Sequence, residues 1–171
     1  MGWDYHHEVA PYDRRSICRR QIGNGHEVVR DAVVGTTYYA AVRSPHDGSV
    51  YAAIILTHID RSDYCNFGMK FMDEECGPYE SRCPESVLRK LSPTDNQYAL
   101  EWRERCRAFK DERKPMFDAP IGTRLKVVLK SGQERIVYKR EPNFQFKTWW
   151  LQVEGILTYV PKNRVAKAEL I

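Results

Sequence analysis

A hairpin signal in the first third of the chain constrains its fold most strongly. Two runs rich in Val, Ile, Thr and Tyr occupy residues 28–43 and 49–58, and a Ser-Pro-His-Asp-Gly turn at 44–48 joins them. Branched and aromatic side chains favour extended backbone, whereas Pro, Asp and Gly favour turns. The pattern therefore predicts two antiparallel strands.

The same region predicts a third strand and identifies the centre of the sheet. Residues 28–34 are predicted to form a strand of their own, with Gly35 as a bulge or bend, so that three strands make an antiparallel meander. The nearly continuous apolar run at 52–56 is typical of a strand covered on both faces. Packed helices are expected to provide this cover.

A first helix is predicted from about Asp13 to Ile22. Asp13 suits the N-cap position, and Gly23 ends the helix. One face of this helix carries four arginines, for which we expect a solvated surface: Arg14, Arg15, Arg19 and Arg20.

Two further helices are predicted after the hairpin. A short one covers 84–91, with Cys83 or Ser81 as its N-cap. A longer one begins at an N-cap on Ser92 and runs to about Lys114. Its apolar stripe should pack on the meander, and consists of Tyr98, Trp102, Cys106 and Phe109.

The segment 60–85 is predicted to be a long, ordered loop. It lacks clear periodicity, and it carries seven acidic and three basic residues. Carboxylates and a histidine near a buried strand suit either general acid–base catalysis or metal binding, whereas most acidic loops are solvated or cap helices. The candidate catalytic residues are His58, Lys70, Asp73 and Glu74.

Only strand patterns follow the long helix. Five short strands in about fifty residues are typical of a small SH3-like β-barrel module. The predicted strands cover 123–129, 134–140, 144–153, 155–160 and 165–170. The chain as a whole is therefore predicted to be α+β, with an antiparallel sheet and packed helices in 1–114, a linker at 115–120 and the barrel in 121–171.

Basic residues are concentrated near the end of the chain. Residues 1–117 hold 17 basic and 18 acidic side chains, whereas residues 118–171 hold 10 and 5. Such an excess suits a surface that binds phosphate, and aromatic rings among cations suit stacking on bases. The predicted binding residues are Arg124, Lys126, Lys130, Arg135, Lys139, Arg140 and Lys147, with Trp149 or Trp150 as the stacking group.

Several other classes of protein are disfavoured. The five cysteines are odd in number and include no Cys-x-x-Cys pair, so we expect reduced, mostly buried thiols, no metal site and no cofactor. Sequence-local signatures of nucleotide-binding loops and common hydrolases are absent. The longest apolar stretch is too short to cross a bilayer, and charged residues occupy the first positions. A soluble cytoplasmic protein without a membrane partner is expected.

A set of short motifs resembles an uncharacterised family of proteins encoded by phages, plasmids and integrated elements. These motifs lie in about residues 1–113 and include Gly-Thr-Thr-Tyr-Tyr-Ala-Ala-Val at 35–42, Asn-Phe-Gly at 66–68, Met-Asp-Glu at 72–74, Gly-Pro at 77–78, Ser-Pro-Thr-Asp-Asn at 92–96 and Glu-Trp-Arg at 101–103. The resemblance implies a mobile-element setting. It carries no activity that transfers to this chain.

The sequence favours a binding protein over an enzyme. The leading hypothesis is a non-enzymatic mobile-element accessory protein that binds nucleic acid, or a nucleic-acid-handling host defence complex, through its basic C-terminal module. One alternative is a small enzyme with its site in 58–78. Another is an inhibitor that binds a protein through the acidic 60–85 segment. Nothing in the sequence predicts the oligomeric state.

Overall fold

The computed structural model describes residues 2–8, 10–23, 25–60, 66–141 and 151–171. The chain divides into two compact units, Met1–Cys106 and Arg107–Ile171. Each unit contains an antiparallel five-stranded sheet, and helices accompany the sheets. The predicted α+β class is therefore confirmed. Closure of the second sheet into an SH3-like barrel stays a prediction.

The first unit is built on a sheet of strand order β1-β5-β4-β3-β2. Every neighbouring pair is antiparallel, and β2, β3 and β4 form the predicted meander. The strands are β1 (Asp4–His7), β2 (Glu27–Val34), β3 (Thr37–Arg43), β4 (Val50–Asp60) and β5 (Asn66–Asp73).

The prediction of a loop at 60–85 is wrong for residues 66–76. Residues Asn66–Asp73 form β5, which pairs with β4 along eight rungs, and a 3-10 turn η1 follows at Glu74–Cys76. Phe67 and Met69 are buried on one face, but Gly68 between them has no side chain to mark the other face. The alternation typical of a strand is therefore hidden in the sequence.

Apolar clusters cover β4 on both faces, as its apolar run predicts. On one face, Ile17 and Cys18 of helix α1 (Arg14–Gln21) pack in a cluster that includes Ile55. On the other face, Trp102 packs in a cluster that includes Ile54. Because successive strand residues point to opposite faces, one strand serves both cores.

The long helix begins later than its sequence predicts and ends later too. Helix α3 covers Gln97–Asp118, after the short helix α2 at Glu85–Leu88. The side-chain oxygen Oδ1 of Asn96 accepts a hydrogen bond from the Ala99 amide at 3.1 Å. Ser92, the predicted N-cap, instead accepts the Val50 amide proton at 2.9 Å and so extends the pairing of β4.

Details of the helix ends and faces also differ from the prediction. The N-cap of α2 is Pro84, whose side chain makes no capping bond, and not Cys83 or Ser81. Within the predicted stripe of α3, Trp102 is buried, whereas the Tyr98 side chain is 63% exposed.

None of the helices in the described part of the chain has the combination of length and apolar character that a bilayer crossing requires.

The second unit has the strand order β10-β6-β7-β8-β9. Its core contains Leu125, Val127, Val137 and Leu151, together with Met116 from the end of α3. A 3-10 turn η2 lies at Lys162–Arg164. The strands are β6 (Arg124–Leu129), β7 (Glu134–Lys139), β8 (Leu151–Val153), β9 (Tyr159–Val160) and β10 (Val165–Leu170).

Candidate functional site

The four candidate catalytic residues do not form a cluster. In the β4–β5 ladder, His58 faces Gly68, whereas Asp73 faces Ala53. Four residues of β4 therefore lie between the rungs of His58 and Asp73, and this spacing of five steps corresponds to about 16 Å of strand. This arrangement does not assemble the acid and base of an active site.

Glu74 is the most buried of these candidates and is fully engaged. The Nε and Nη2 atoms of Arg103 donate to its carboxylate at 2.6 and 2.8 Å, and the Ala52 amide donates to it at 3.1 Å. Arg103 also donates from Nη1 to the Ser92 carbonyl oxygen at 2.7 Å. The pair therefore joins η1, α3, β4 and the segment before α3, which is a structural role.

Asp73 begins the 3-10 turn and lines a small cleft. Its Oδ1 accepts the Cys76 amide proton at 3.1 Å. The cleft has a volume of about 220 Å³ and is lined by Ser44, Asp47, Ser49, Tyr51, Asp73 and Glu75. No group of three His, Cys, Asp or Glu side chains in the described residues is arranged to hold a metal ion.

His58 packs in an aromatic group at one end of the sheet. The rings of Trp3 and Tyr5 meet it edge-on, with centroids 4.7 and 5.4 Å from the His58 centroid. Gly68 lies directly under the imidazole, because a Cβ atom at position 68 would be 2.5 Å from His58 Cε1. The side chain is therefore a packing element of the sheet.

The arginine-rich face of α1 is largely exposed, as predicted, but several of its side chains have partners within the fold. Arg15 donates from Nε and Nη2 to the buried Asp31 carboxylate, and the Tyr38 hydroxyl donates to the same group at 3.1 Å. The hydrogen bonds from Arg15 hold the pKa of Asp31 below its usual range. Arg14 donates to the Thr57 hydroxyl oxygen at 3.1 Å, and Arg20 pairs with Glu8 at 2.7 Å. Three of the four predicted surface arginines thus have partners.

Some of the predicted binding residues lie together on one side of the second sheet. The register of β6 and β7 places Arg124 opposite Tyr138, and the guanidinium of Arg140 lies 5.7 Å from the Tyr138 ring centroid. Lys126 follows on the same face of β6, because residues two apart along a strand share a face. We call Arg124, Lys126, Tyr138 and Arg140 the cationic face.

Carboxylates pair with two members of the cationic face. Arg124 donates to both oxygens of Glu154 at 3.0 Å, and Lys126 lies 2.9 Å from Glu134. The hydrogen bond from Arg124 is the main reason that the pKa of Glu154 is lowered. All four of these side chains are exposed by at least a third of their surface.

The other predicted binding residues have different surroundings. The ammonium group of Lys139 donates to the carbonyl oxygens of Phe117 and Ala119, both at 2.5 Å, so it stabilises the end of α3. Arg135 donates to the Glu134 carbonyl oxygen at 3.1 Å. Lys130 is exposed in the loop after β6. The remaining candidates lie outside the described residues, and these are Lys147, Trp149 and Trp150.

Sequence reasoning missed Arg103 as the partner of Glu74, and it missed the Ser92 carbonyl oxygen as a second acceptor for Arg103. A signal was present, because all three lie in the motifs Met-Asp-Glu, Ser-Pro-Thr-Asp-Asn and Glu-Trp-Arg. Those motifs thus include the residues that make the buried ion pair.

Comparison of the chain with protein-family models, with curated proteins and with solved structures gives no match. The resemblance to mobile-element proteins therefore stays a prediction.

Proposed function

We propose that the chain binds nucleic acid through its second unit. The observation that carries this proposal is the separation of charge between the units. Met1–Cys106 holds 13 basic and 16 acidic side chains, whereas Arg107–Ile171 holds 14 and 7. The net charges are thus −3 and +7, and a positive unit of 65 residues attracts phosphate and gains entropy as counterions are released.

The exposed ion pairs on the cationic face are compatible with this role. An exposed pair contributes only about 0–1 kcal/mol to stability, so a phosphate displaces the carboxylate from Arg124 or Lys126 at small cost. Arginine also binds phosphate oxygens in the same bidentate geometry in which Arg124 binds the Glu154 carboxylate. Tyr138 offers a ring at the centre of these cations for contact with a base or sugar.

We further propose that the second unit is an SH3-like barrel. The sheet order supports this proposal, because the last strand, β10, pairs with the first, β6, and the others follow in sequence. The turn η2 between β9 and β10 brings the chain back towards that pairing. Small barrels of this kind commonly bind peptides, proteins or nucleic acids and seldom perform chemistry alone.

We infer that the protein acts by binding and that it is a mobile-element accessory protein. The engaged state of Glu74 and Asp73 supports the first point. The motif resemblance supports the second. Within this proposal, the partner is nucleic acid itself, and a nucleic-acid-handling host complex is the alternative target if nucleic acid does not bind.

The proposal is tested by fluorescence anisotropy with labelled single- and double-stranded DNA and RNA across a salt series. The test variant carries Lys126→Gln, Lys130→Gln and Arg140→Gln. Its matched control carries Arg19→Gln, Arg30→Gln and Lys90→Gln, which remove the same charge from exposed positions of the first unit.

Tight, salt-sensitive binding by the unmodified chain is expected. The test variant should bind more weakly, and the slope of log K against log salt should decrease by about 2 to 3, since each lost phosphate contact removes about 0.7–0.9. The control should keep the original slope. Equal slopes in all three proteins, or no binding at low salt, would overturn the proposal and direct attention to a protein partner.

A further inference from the structure

A small cavity in the first unit is separate from the proposed nucleic-acid surface. Its volume is about 250 Å³, and it opens where β1 and β5 meet the end of α1. Three polar and three apolar side chains line it: Asp4, His6, Gln21, Ile55, Met69 and Phe71. All of them belong to Met1–Cys106.

The floor of the cavity is apolar and firmly placed by the sheet register. Asp4 of β1 faces Met69 of β5, and Phe71 of β5 faces Ile55 of β4. Ile55 and Met69 are buried, whereas Phe71 is 36% exposed and contributes an aromatic ring to the opening. A flat ligand ring would therefore meet chiefly the Phe71 ring, with Ile55 and Met69 buried beneath it.

The polar groups around this floor have no partner within the described residues. The side chains of Asp4, His6 and Gln21 take part in no hydrogen bond or ion pair there, in contrast to the fully engaged Asp31 and Glu74 of the same unit. A few free polar groups above an apolar floor are typical of small-molecule sites.

Charge selects the class of ligand. Among the described residues that line the cavity, Asp4 alone carries a full negative charge, and none is a lysine or an arginine. Gln21 is the last residue of α1, where the helix dipole favours a positive charge. Arg20, the adjacent cation, is paired with Glu8 at 2.7 Å. The cavity thus favours cations and disfavours anions.

We propose that this cavity binds a small, flat organic cation of the aryl amidinium or aryl amine class. The ring lies against Phe71, the N–H groups donate to the Asp4 carboxylate, and His6 and Gln21 provide further hydrogen bonds. This site does not depend on the proposed nucleic-acid function, because the two lie in different units.

The test uses isothermal titration calorimetry of the full chain with benzamidine. Neutral benzamide and anionic benzoate have nearly the same shape and serve as ligand controls. At the usual efficiency of small ligands, benzamidine should bind with a Kd of about 1 mM or tighter. Benzamide and benzoate should each bind at least about threefold more weakly, because the ion pair with the exposed Asp4 carboxylate is lost.

Two variants connect the binding to the cavity. Asp4→Asn should weaken benzamidine binding about threefold to fivefold, and Gln21→Ala about twofold, because both side chains are exposed. Both side chains are exposed, so the fold is retained, as circular dichroism would verify. Asp95→Asn removes an exposed carboxylate elsewhere in the unit and should leave binding unchanged.

Three results would overturn the proposal. The first is equal affinity for benzamidine and benzamide. The second is unchanged benzamidine binding by the Asp4→Asn and Gln21→Ala variants. The third is binding of a blocked arginine without binding of benzamidine, which would indicate that the cavity takes a protein side chain and not a free aryl cation.

Discussion

The two units place their ion pairs in opposite environments. In Met1–Cys106 the side chains of Arg103 and Glu74 are 9% and 2% exposed, and their pair joins several elements of the fold. In Arg107–Ile171 the side chains of Arg124 and Glu154 are 47% and 37% exposed. Burial strengthens an ion pair and makes loss of one partner costly, whereas water and salt weaken an exposed pair.

This difference indicates which charges hold the fold and which are free for a ligand. Glu74 is buried and its two carboxylate oxygens already accept three hydrogen bonds from the protein, so this side chain serves folding. An exposed pair contributes little to stability and exchanges partners readily, which suits the binding role proposed for the cationic face. The predictions below test this division, from the largest expected effect to the smallest.

Removing the buried cation should have the largest effect. Arg103→Leu leaves Glu74 buried without its charged partner, and we expect the free energy of unfolding to fall by about 3–5 kcal/mol. Urea unfolding combined with hydrogen exchange of the β4 amides reports this unit separately. Arg89→Leu, which removes an exposed i,i+4 pair with Glu85, is the matched control. A loss below about 1 kcal/mol for Arg103→Leu would contradict the structural role of the pair.

Adding one methyl group under His58 should have the next largest effect. Gly68→Ala places a Cβ atom 2.5 Å from His58 Cε1, so the imidazole has to move, and we expect a loss of about 1–3 kcal/mol. In a His58→Ala background the same change should cost much less, because the contact is gone. A double-mutant cycle in urea measures the difference. Equal costs in both backgrounds would show that this contact does not determine the residue at 68.

Asp31 should give the first unit a stability that depends on pH. Arg15 lowers the pKa of Asp31 in the folded state, so the stabilisation is complete above the usual carboxyl pKa and is lost as pH falls through the lowered folded-state value. Asp31→Asn should remove about 1–2 kcal/mol at neutral pH. The difference from the unmodified protein should shrink on acidification below about pH 4. Unfolding curves that keep a constant difference down to low pH would refute the linkage.

Breaking an exposed pair in the second unit should have the smallest effect on stability. Arg124→Gln removes the charge that faces Glu154, and we expect a loss of about 0.5 kcal/mol or less, decreasing further with added salt. Urea unfolding at low and high salt measures this. A loss that equals the effect of Arg103→Leu would remove the distinction between the two units.

Much of the framework was predictable because local signals agree with tertiary ones. The turn at 44–48 is flanked by strands with side chains that suit them, so the hairpin of β3 and β4 matches its pattern. The N-cap at Asp13 was equally predictable. As expected of an N-cap, its carboxylate accepts the amide protons of Arg15 and Ser16. Such short-range rules do not depend on the rest of the fold.

The remaining features depend on contacts between distant residues. β1 has the sequence Asp-Tyr-His-His, which carries no apolar alternation and forms a strand only because β5 is available as a partner. Ser92 has the properties of an N-cap, but its hydroxyl bonds to Val50, 42 residues earlier in the chain. The structural role of Glu74 escaped prediction for the same reason. Glu74 has a polar side chain in an acidic segment, and only the position of Arg103 reveals its role.

The β2 strand forms one edge of the first sheet, and its register shifts between Val28 and Arg30. An open edge offers unpaired backbone groups to which a second chain adds, and this is the usual starting point of sheet growth between molecules. A bulge interrupts the regular spacing of those groups, and the exposed side chains of Glu27 and Arg30 place charge beside it. Aggregation by addition of further strands is therefore disfavoured along this edge.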